Sequence, residues 1–122
     1  MLEIRDFSKS YHGRKKAVDS LTFTVPDGQI TGFIGHNGAG KTTTLRCVAG
    51  ILEFREGTIA IDGYDIRKEP VKAKQVTAFL PDNPELYDFM TGIRYLKFVA
   101  DLYRLPADVR TQRIGRYADA FG

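Results

Sequence analysis

Gly35-His36-Asn37-Gly38-Ala39-Gly40-Lys41-Thr42-Thr43 is the stretch that decides how this chain is read. It fits the spacing G-x-x-x-x-G-K-[ST] of a glycine-rich loop that wraps phosphates. The apolar run Ile30-Thr31-Gly32-Phe33-Ile34 leads into it and predicts a buried strand. Thr43-Thr44-Leu45-Arg46-Cys47-Val48-Ala49 leads out of it and predicts a helix stopped by Gly50. Strand, loop and helix in that order are the setting the motif requires.

These residue types suit a polyphosphate for steric and electrostatic reasons. Gly35, Gly38 and Gly40 admit backbone angles closed to larger residues, so successive N–H groups can turn inward around an anion. The helix that follows adds unpaired N–H groups and a positive dipole end, worth about 0.3 to 1 kcal/mol for an exposed charge. Lys41 is placed to reach the outer phosphates as a point charge that stabilises them. The Thr42 hydroxyl is a hard oxygen donor for Mg²⁺, and Thr43 offers a second hydroxyl to phosphate. His36, Asn37 and Ala39 contribute backbone, with the His36 side chain expected to face solvent rather than act as a base.

At 122 residues and 13.7 kDa, the chain has the length of one domain with a real core. Hydrophobic residues at 43% and charged residues at 27% exclude a disordered chain. The 18 Lys and Arg outnumber the 15 Asp and Glu only slightly and are scattered. Lys9 to Lys16 is the densest basic stretch, and without an aromatic stacking platform it reads as a solvated loop, so no nucleic-acid partner is expected. Cys47 is the only cysteine, which excludes an internal disulfide. Its neighbours Leu45, Val48 and Ala49 predict a small buried hydrophobe rather than a reactive thiol. No run approaches the roughly 18 apolar residues of a membrane span, and Met1 to Asp6 lacks the apolar core of a signal peptide.

The rest of the chain falls into short elements. Leu2 to Phe7 and Leu21 to Val25 alternate as half-buried strands, expected to pair antiparallel, with a charged loop inside Ser8 to Asp19. Pro26-Asp27-Gly28-Gln29 is a turn. Thr58 to Asp62 predicts another strand, ended by Gly63; a short helix is expected at Val71 to Gln75, starting near Pro70. Val76-Thr77-Ala78-Phe79-Leu80 reads as a compact strand closed by Pro81. Thr91 is placed as the N-cap of a helix carrying Ile93, Leu96, Val99, Ala100 and Tyr103. Leu105-Pro106 breaks it, and Asp108 to Ala120 predicts a last helix with Ile114, Tyr117, Ala118 and Phe121 on one face.

From Leu2 to about Tyr103 the chain resembles the beginning of the ATP-binding cassette family, the ATPase subunits of ABC transporters. The resemblance rests on the Gly35 to Thr43 loop, on Val25-Pro26-Asp27-Gly28-Gln29-Ile30 before it and on Gly57-Thr58-Ile59-Ala60-Ile61-Asp62-Gly63 after it. It continues through Phe79-Leu80-Pro81-Asp82-Asn83-Pro84-Glu85-Leu86-Tyr87 and Met90-Thr91-Gly92-Ile93-Arg94-Tyr95-Leu96. The loop alone says only P-loop NTPase; the ordered set points to the cassette.

The resemblance implies an α/β fold: part of a P-loop NTPase core with an antiparallel β subdomain over about residues 1–88, and the start of a helical subdomain over about 89–122. It implies ATP and Mg²⁺ as cofactors, with a cytoplasmic position at the inner face of the membrane. A second ATPase subunit in a head-to-tail dimer and membrane-spanning transporter subunits are the implied partners. Tyr11 matches the aromatic that stacks on adenine, and Val18 matches a position near the sugar or base, with core packing as its alternative role. Asp82 stands where the family usually has a glutamine that contacts Mg²⁺ or the attacking water. A carboxylate suits the metal, but when ionised it cannot donate the amide's hydrogen bond.

The family's signature segment, second Mg²⁺-linked aspartate, catalytic glutamate and switch histidine have no counterpart in these residues. The chain is therefore expected to be an N-terminal fragment of the cassette, with no complete catalytic set, binding ATP without turnover and associating with itself through exposed edges. Two other readings stay open: an ABC-like ATPase acting on nucleic acid or ribosomes, and a nucleotide-binding regulatory module that never hydrolyses ATP.

Overall fold

Alternating apolar residues near the N-terminus build the sheet on which the glycine-rich loop rests. In a computed structural model that describes residues 1–11, 15–83 and 87–121, Leu2–Tyr11 (β1) and Lys15–Val25 (β2) pair antiparallel. Leu2 stands opposite Val25, Ile4 opposite Phe23 and Phe7 opposite Leu21. Strict alternation would send Ile4 and Phe7 to opposite faces. Asp6 prevents this: it sits in the left-handed region at φ 48° as an extra residue in the ladder, so both Ile4 and Phe7 are fully buried. Its N–H donates to the Thr22 hydroxyl at 2.9 Å, and the Ser20 N–H, at a second irregularity, donates to Ser8 Oγ at 2.9 Å. Hydroxyls on the partner strand thus satisfy the donors that the bulges displace.

Glu56–Ile61 (β3) lies on the other side of β1, and Tyr64–Asp65 (β4) completes the order β2-β1-β3-β4, every pair antiparallel. Gly57 crosses the Asp6 bulge at φ 83°, where an added Cβ would stand 2.5 Å from the Asp6 carbonyl oxygen. Lys41–Val48 (α1) closes one face of the sheet, burying Thr44 and Cys47. The core consists of Ile4, Phe7, Val18, Cys47, Phe54 and Ile59, with the Phe7 and Phe54 rings edge to face at 5.3 Å. α1 ends as expected: Gly50 turns left-handed, and the Ile51 N–H donates to the Arg46 carbonyl at 2.9 Å. Pro70–Gln75 (α2) begins on its proline.

Two expected strands are absent. Ile30 to Ile34 has no regular structure, and Ile30 and Ile34 are exposed at 104% and 94%. Val76 to Leu80 likewise forms no strand, with Leu80 83% exposed. An apolar run becomes a buried strand only if neighbours take its backbone N–H and C=O groups, and every ladder among the described residues belongs to β1 to β4. The basic stretch read as a solvated loop is mostly strand: β1 reaches Tyr11 and β2 resumes at Lys15. Its His12 and Gly13 lie outside the described residues.

The chain divides into two compact units, Met1–Phe79 and Leu80–Gly122. The second holds Gly92–Leu102 (α3) and Ala107–Phe121 (α4). The Thr91 hydroxyl caps α3 by accepting from the Arg94 N–H at 3.4 Å, and the Arg110 guanidinium on α4 meets Asp101 on α3 at 2.6 Å. Most of the apolar residues expected on both helices turn toward a shared groove lined by Leu96, Val99, Ala100, Ile114 and Tyr117, of which only Ala100 is buried, while Ile93 lies outside it and is exposed. Tyr87 packs among Phe89, Tyr95 and Phe98 in the same unit. Among the described residues, no helix is long and apolar enough to cross a membrane.

Candidate functional site

The phosphate-type loop is held against the sheet by a close backbone approach. Gly40 ends it at φ 90°, immediately before α1. A Cβ there would lie 2.4 Å from the Ala17 carbonyl oxygen and 2.8 Å from Val18 Cγ2, so only glycine lets the loop sit on β2. Val18 is 8% exposed and belongs to the core, the packing alternative of its two expected roles.

From Gly40 the backbone enters the helix at once. The Thr44 N–H makes the first helical bond, to the Gly40 carbonyl at 2.9 Å, and the Thr44 hydroxyl accompanies it to the same oxygen at 2.9 Å. The amides of Lys41, Thr42 and Thr43 precede that bond, so they have no intrahelical acceptor and point out of the helix start. The Ala39 N–H turns back to the His36 carbonyl at 3.1 Å. The Lys41 ammonium folds over the loop and donates to the carbonyl oxygens of Gly35 and of His36, the latter at 2.8 Å. The loop thereby encloses a cation next to free amides, a pairing that suits a multiply charged anion. His36 Nδ1 engages the neighbouring Asn37 carbonyl at 2.9 Å, and the residue is exposed, as its solvent-facing assignment requires.

Thr42 is exposed at the second residue of α1. Among the described residues, no group of three or more His, Cys, Asp or Glu side chains could hold a metal by itself. A divalent cation here would therefore need phosphate oxygens beside the Thr42 hydroxyl, the arrangement Mg²⁺ favours. Asp82 is exposed at a bend of the second unit. Of the segment around it, Pro84 to Leu86 lie outside the described residues.

Tyr11, the last residue of β1, is 45% exposed, and its hydroxyl shares a hydrogen bond with the Thr43 hydroxyl at 3.2 Å. One side-chain contact thus joins the end of the sheet to the first turn of α1. Lys9, two residues back and so on the same side of the strand, holds its ammonium 5.4 Å from the centre of the Tyr11 ring. That ammonium also donates to the Glu53 carbonyl in the segment after α1. Reading the sequence passed over Lys9 as part of a basic stretch; the signal was its i, i+2 spacing from Tyr11.

Behind the loop, Cys47 is fully buried, and burial pushes its thiol up from the ordinary value. It is a packing residue, as expected from its neighbours.

The sequence model of the ABC transporter family matches residues 18–119, spanning β2, the loop, α1 and both helices of the second unit. The chain belongs to the ABC transporter ATP-binding family. It is 36% identical over 122 residues to the uncharacterized ABC transporter ATP-binding protein YhcH of Bacillus subtilis, covering all of this chain and 39% of that protein. It is 36% identical to the ABC transporter ATP-binding protein NatA of the same organism, covering 51% of it. Among solved structures, an ATP-binding subunit of an ABC transporter superposes with a TM-score of 0.82 at 34% identity, over 88% of this chain and 44% of that one. A putative ABC transporter ATP-binding protein from Pyrococcus furiosus gives 0.68 at 36% identity, covering 84% of this chain and 48% of its own. The chain thus spans about half or less of the length of these relatives, and it carries the partial P-loop core and antiparallel sheet of an ABC ATPase domain.

Proposed function

We propose that this chain is the ATP-gripping part of an ABC transporter subunit that couples Mg-ATP to movement of a substrate across a membrane. One observation carries the reading: Gly40 seats the loop on β2, where the Lys41 ammonium, the open amides of the first turn and the Tyr11 and Thr43 hydroxyls meet. In this reading the open amides from Lys41 to Thr43 take the phosphates, and Lys41 leaves the Gly35 and His36 carbonyls to neutralise their outer charge. The Thr42 hydroxyl supplies one oxygen ligand to Mg²⁺, which would help neutralise the triphosphate. The exposed Tyr11 ring offers a flat face to adenine.

We assign about residues 1–88 to the β subdomain and core and about 89–122 to the start of the helical subdomain. A second ATPase subunit and membrane-spanning subunits are the partners, which places the chain on the cytoplasmic face of the membrane. These residues supply phosphate binding and charge but no complete set for activating water, so we assign them ATP binding without turnover.

Calorimetric titration with Mg-ATP tests this, with Lys41→Ala as its control. Loss of a charge-assisted contact predicts affinity about 10- to 100-fold weaker in that variant. Equal affinities in the two proteins would remove Lys41 from the phosphate site, and steady phosphate release by the unsubstituted chain would remove the assignment of binding alone.

A further inference from the structure

We infer that Lys9 is a positioning residue for the nucleobase, a role that rests on the reading of Tyr11 as the adenine platform. Two contacts meet at one ring, and a third anchors one of them. Its hydroxyl is tied to Thr43 on α1, its face carries the Lys9 ammonium at 5.4 Å, and that ammonium is tethered in turn to the Glu53 carbonyl beyond the other end of α1. An aromatic ring has two faces, and a cation over one of them leaves the other for a flat partner. Lys9 therefore fixes which face a base meets, and through Glu53 it holds that face to the helix that starts at the phosphates.

The pairing also follows from the strand. Lys9 and Tyr11 share a side of β1, and their partners on β2 are Val18 and Lys15, so among the described residues the cross-strand neighbours bring no second aromatic to the Lys9 position. The specificity consequence is separable from phosphate binding. Lys9 touches no loop residue from Gly35 to Thr43 in any recorded hydrogen bond or ion pair among the described residues. Its loss should weaken ligands that carry a base and spare those that do not.

The test compares ATP with inorganic tripolyphosphate, each titrated into the unsubstituted chain and into Lys9→Met, Lys9→Arg and Tyr11→Ala. The expected result is ATP binding about two- to fivefold weaker in Lys9→Met, tripolyphosphate binding unchanged, and recovery in Lys9→Arg, whose guanidinium also sits over rings. Equal losses for both ligands in Lys9→Met would make Lys9 a merely structural residue, and no loss for either would remove it from the site; each overturns the inference. If Tyr11→Ala loses no ATP preference over tripolyphosphate, the platform reading itself fails. If Tyr11→Ala loses it and Lys9→Met does not, only the role of Lys9 fails. Absence of tripolyphosphate binding by the unsubstituted chain would overturn the phosphate loop, and Lys9 with it.

Discussion

Cys47 reports on the integrity of the site from within. The side chain is fully buried in the core under α1, and burial holds the thiol above its ordinary value, so the thiolate that reacts with alkylating agents is scarce on two counts. Alkylation by iodoacetamide at mildly alkaline pH should run roughly tenfold or more slower in the folded chain than in urea, because reaction must wait for an opening of the core. Equal rates in the two conditions would mean that α1 is not seated on the sheet. The sequence made the burial of Cys47 legible through its apolar neighbours, and spacing alone proposes Lys41 and Thr42 for phosphate and metal. Gly40 was legible only as a loop glycine; its approach to the Ala17 carbonyl needs two segments more than twenty positions apart in sequence, which no local pattern encodes.

At the scale of elements, the bulge in β1 governs how the core is filled. Gly57→Ala would push a methyl into the Asp6 carbonyl at a positive φ, so it should cost about 2 kcal/mol or more in chemical denaturation. A change under about 0.5 kcal/mol, the range of ordinary surface substitutions, would show that β3 does not cross the bulge as described. The β1–β2 hairpin carries an exposed ion pair, Lys16 to Asp19 at 2.7 Å, with Glu56 at 3.7 Å on the far side of the lysine. The hydrogen bond from Lys16 lowers the Asp19 value, and the bond to Asp19 raises that of Lys16. A lowered carboxylate adds stability above its unfolded value of about pH 4, lost as the pH falls through its folded value. A raised lysine adds stability below about pH 10, lost as the pH rises through its folded value. Asp19→Asn should therefore lower the melting temperature slightly at neutral pH in low salt, and not at all once acid has protonated the carboxylate. A shift of the same size at both pH values would dissociate the effect from the pair.

Strand expectations divided along the same physical line. Leu2 to Phe7, Leu21 to Val25 and Thr58 to Asp62 set apolar residues between polar ones, and each pairs antiparallel, the first two in one hairpin and the third along β1. Ile30 to Ile34 and Val76 to Leu80 are mostly apolar runs, each with a single threonine, and both remain outside the sheet. Alternation describes a strand with one wet face, which a hairpin can satisfy. A continuous run describes a strand covered on both faces, and its neighbours must come from elsewhere.

Over the whole molecule, these runs and the helical unit leave large apolar side chains open to water, Ile30, Ile34 and Leu80 in the runs and Phe89 and Phe121 outside them. Such surface favours association with another chain. Light scattering should show a size that grows with concentration, and the double variant Ile30→Lys, Ile34→Lys should reduce that growth. A single concentration-independent mass at the monomer value would remove self-association from the picture.

By itself, the sequence determined the phosphate loop, the helix that follows it, the caps at Thr91 and Gly50 and the antiparallel pairing of the first strands. All of these are fixed by short-range sterics and by polarity patterns a few residues long. Only the tertiary structure decided that Asp6 bulges to bring Ile4 and Phe7 to one face, that Gly40 rests on β2, and that Lys9, Tyr11 and Thr43 form one cluster. It also decided which apolar runs become strands. Those outcomes depend on which backbone and side-chain groups far apart in the chain come to face one another, and a hydrogen bond or a packing contact exists only once both partners are in place.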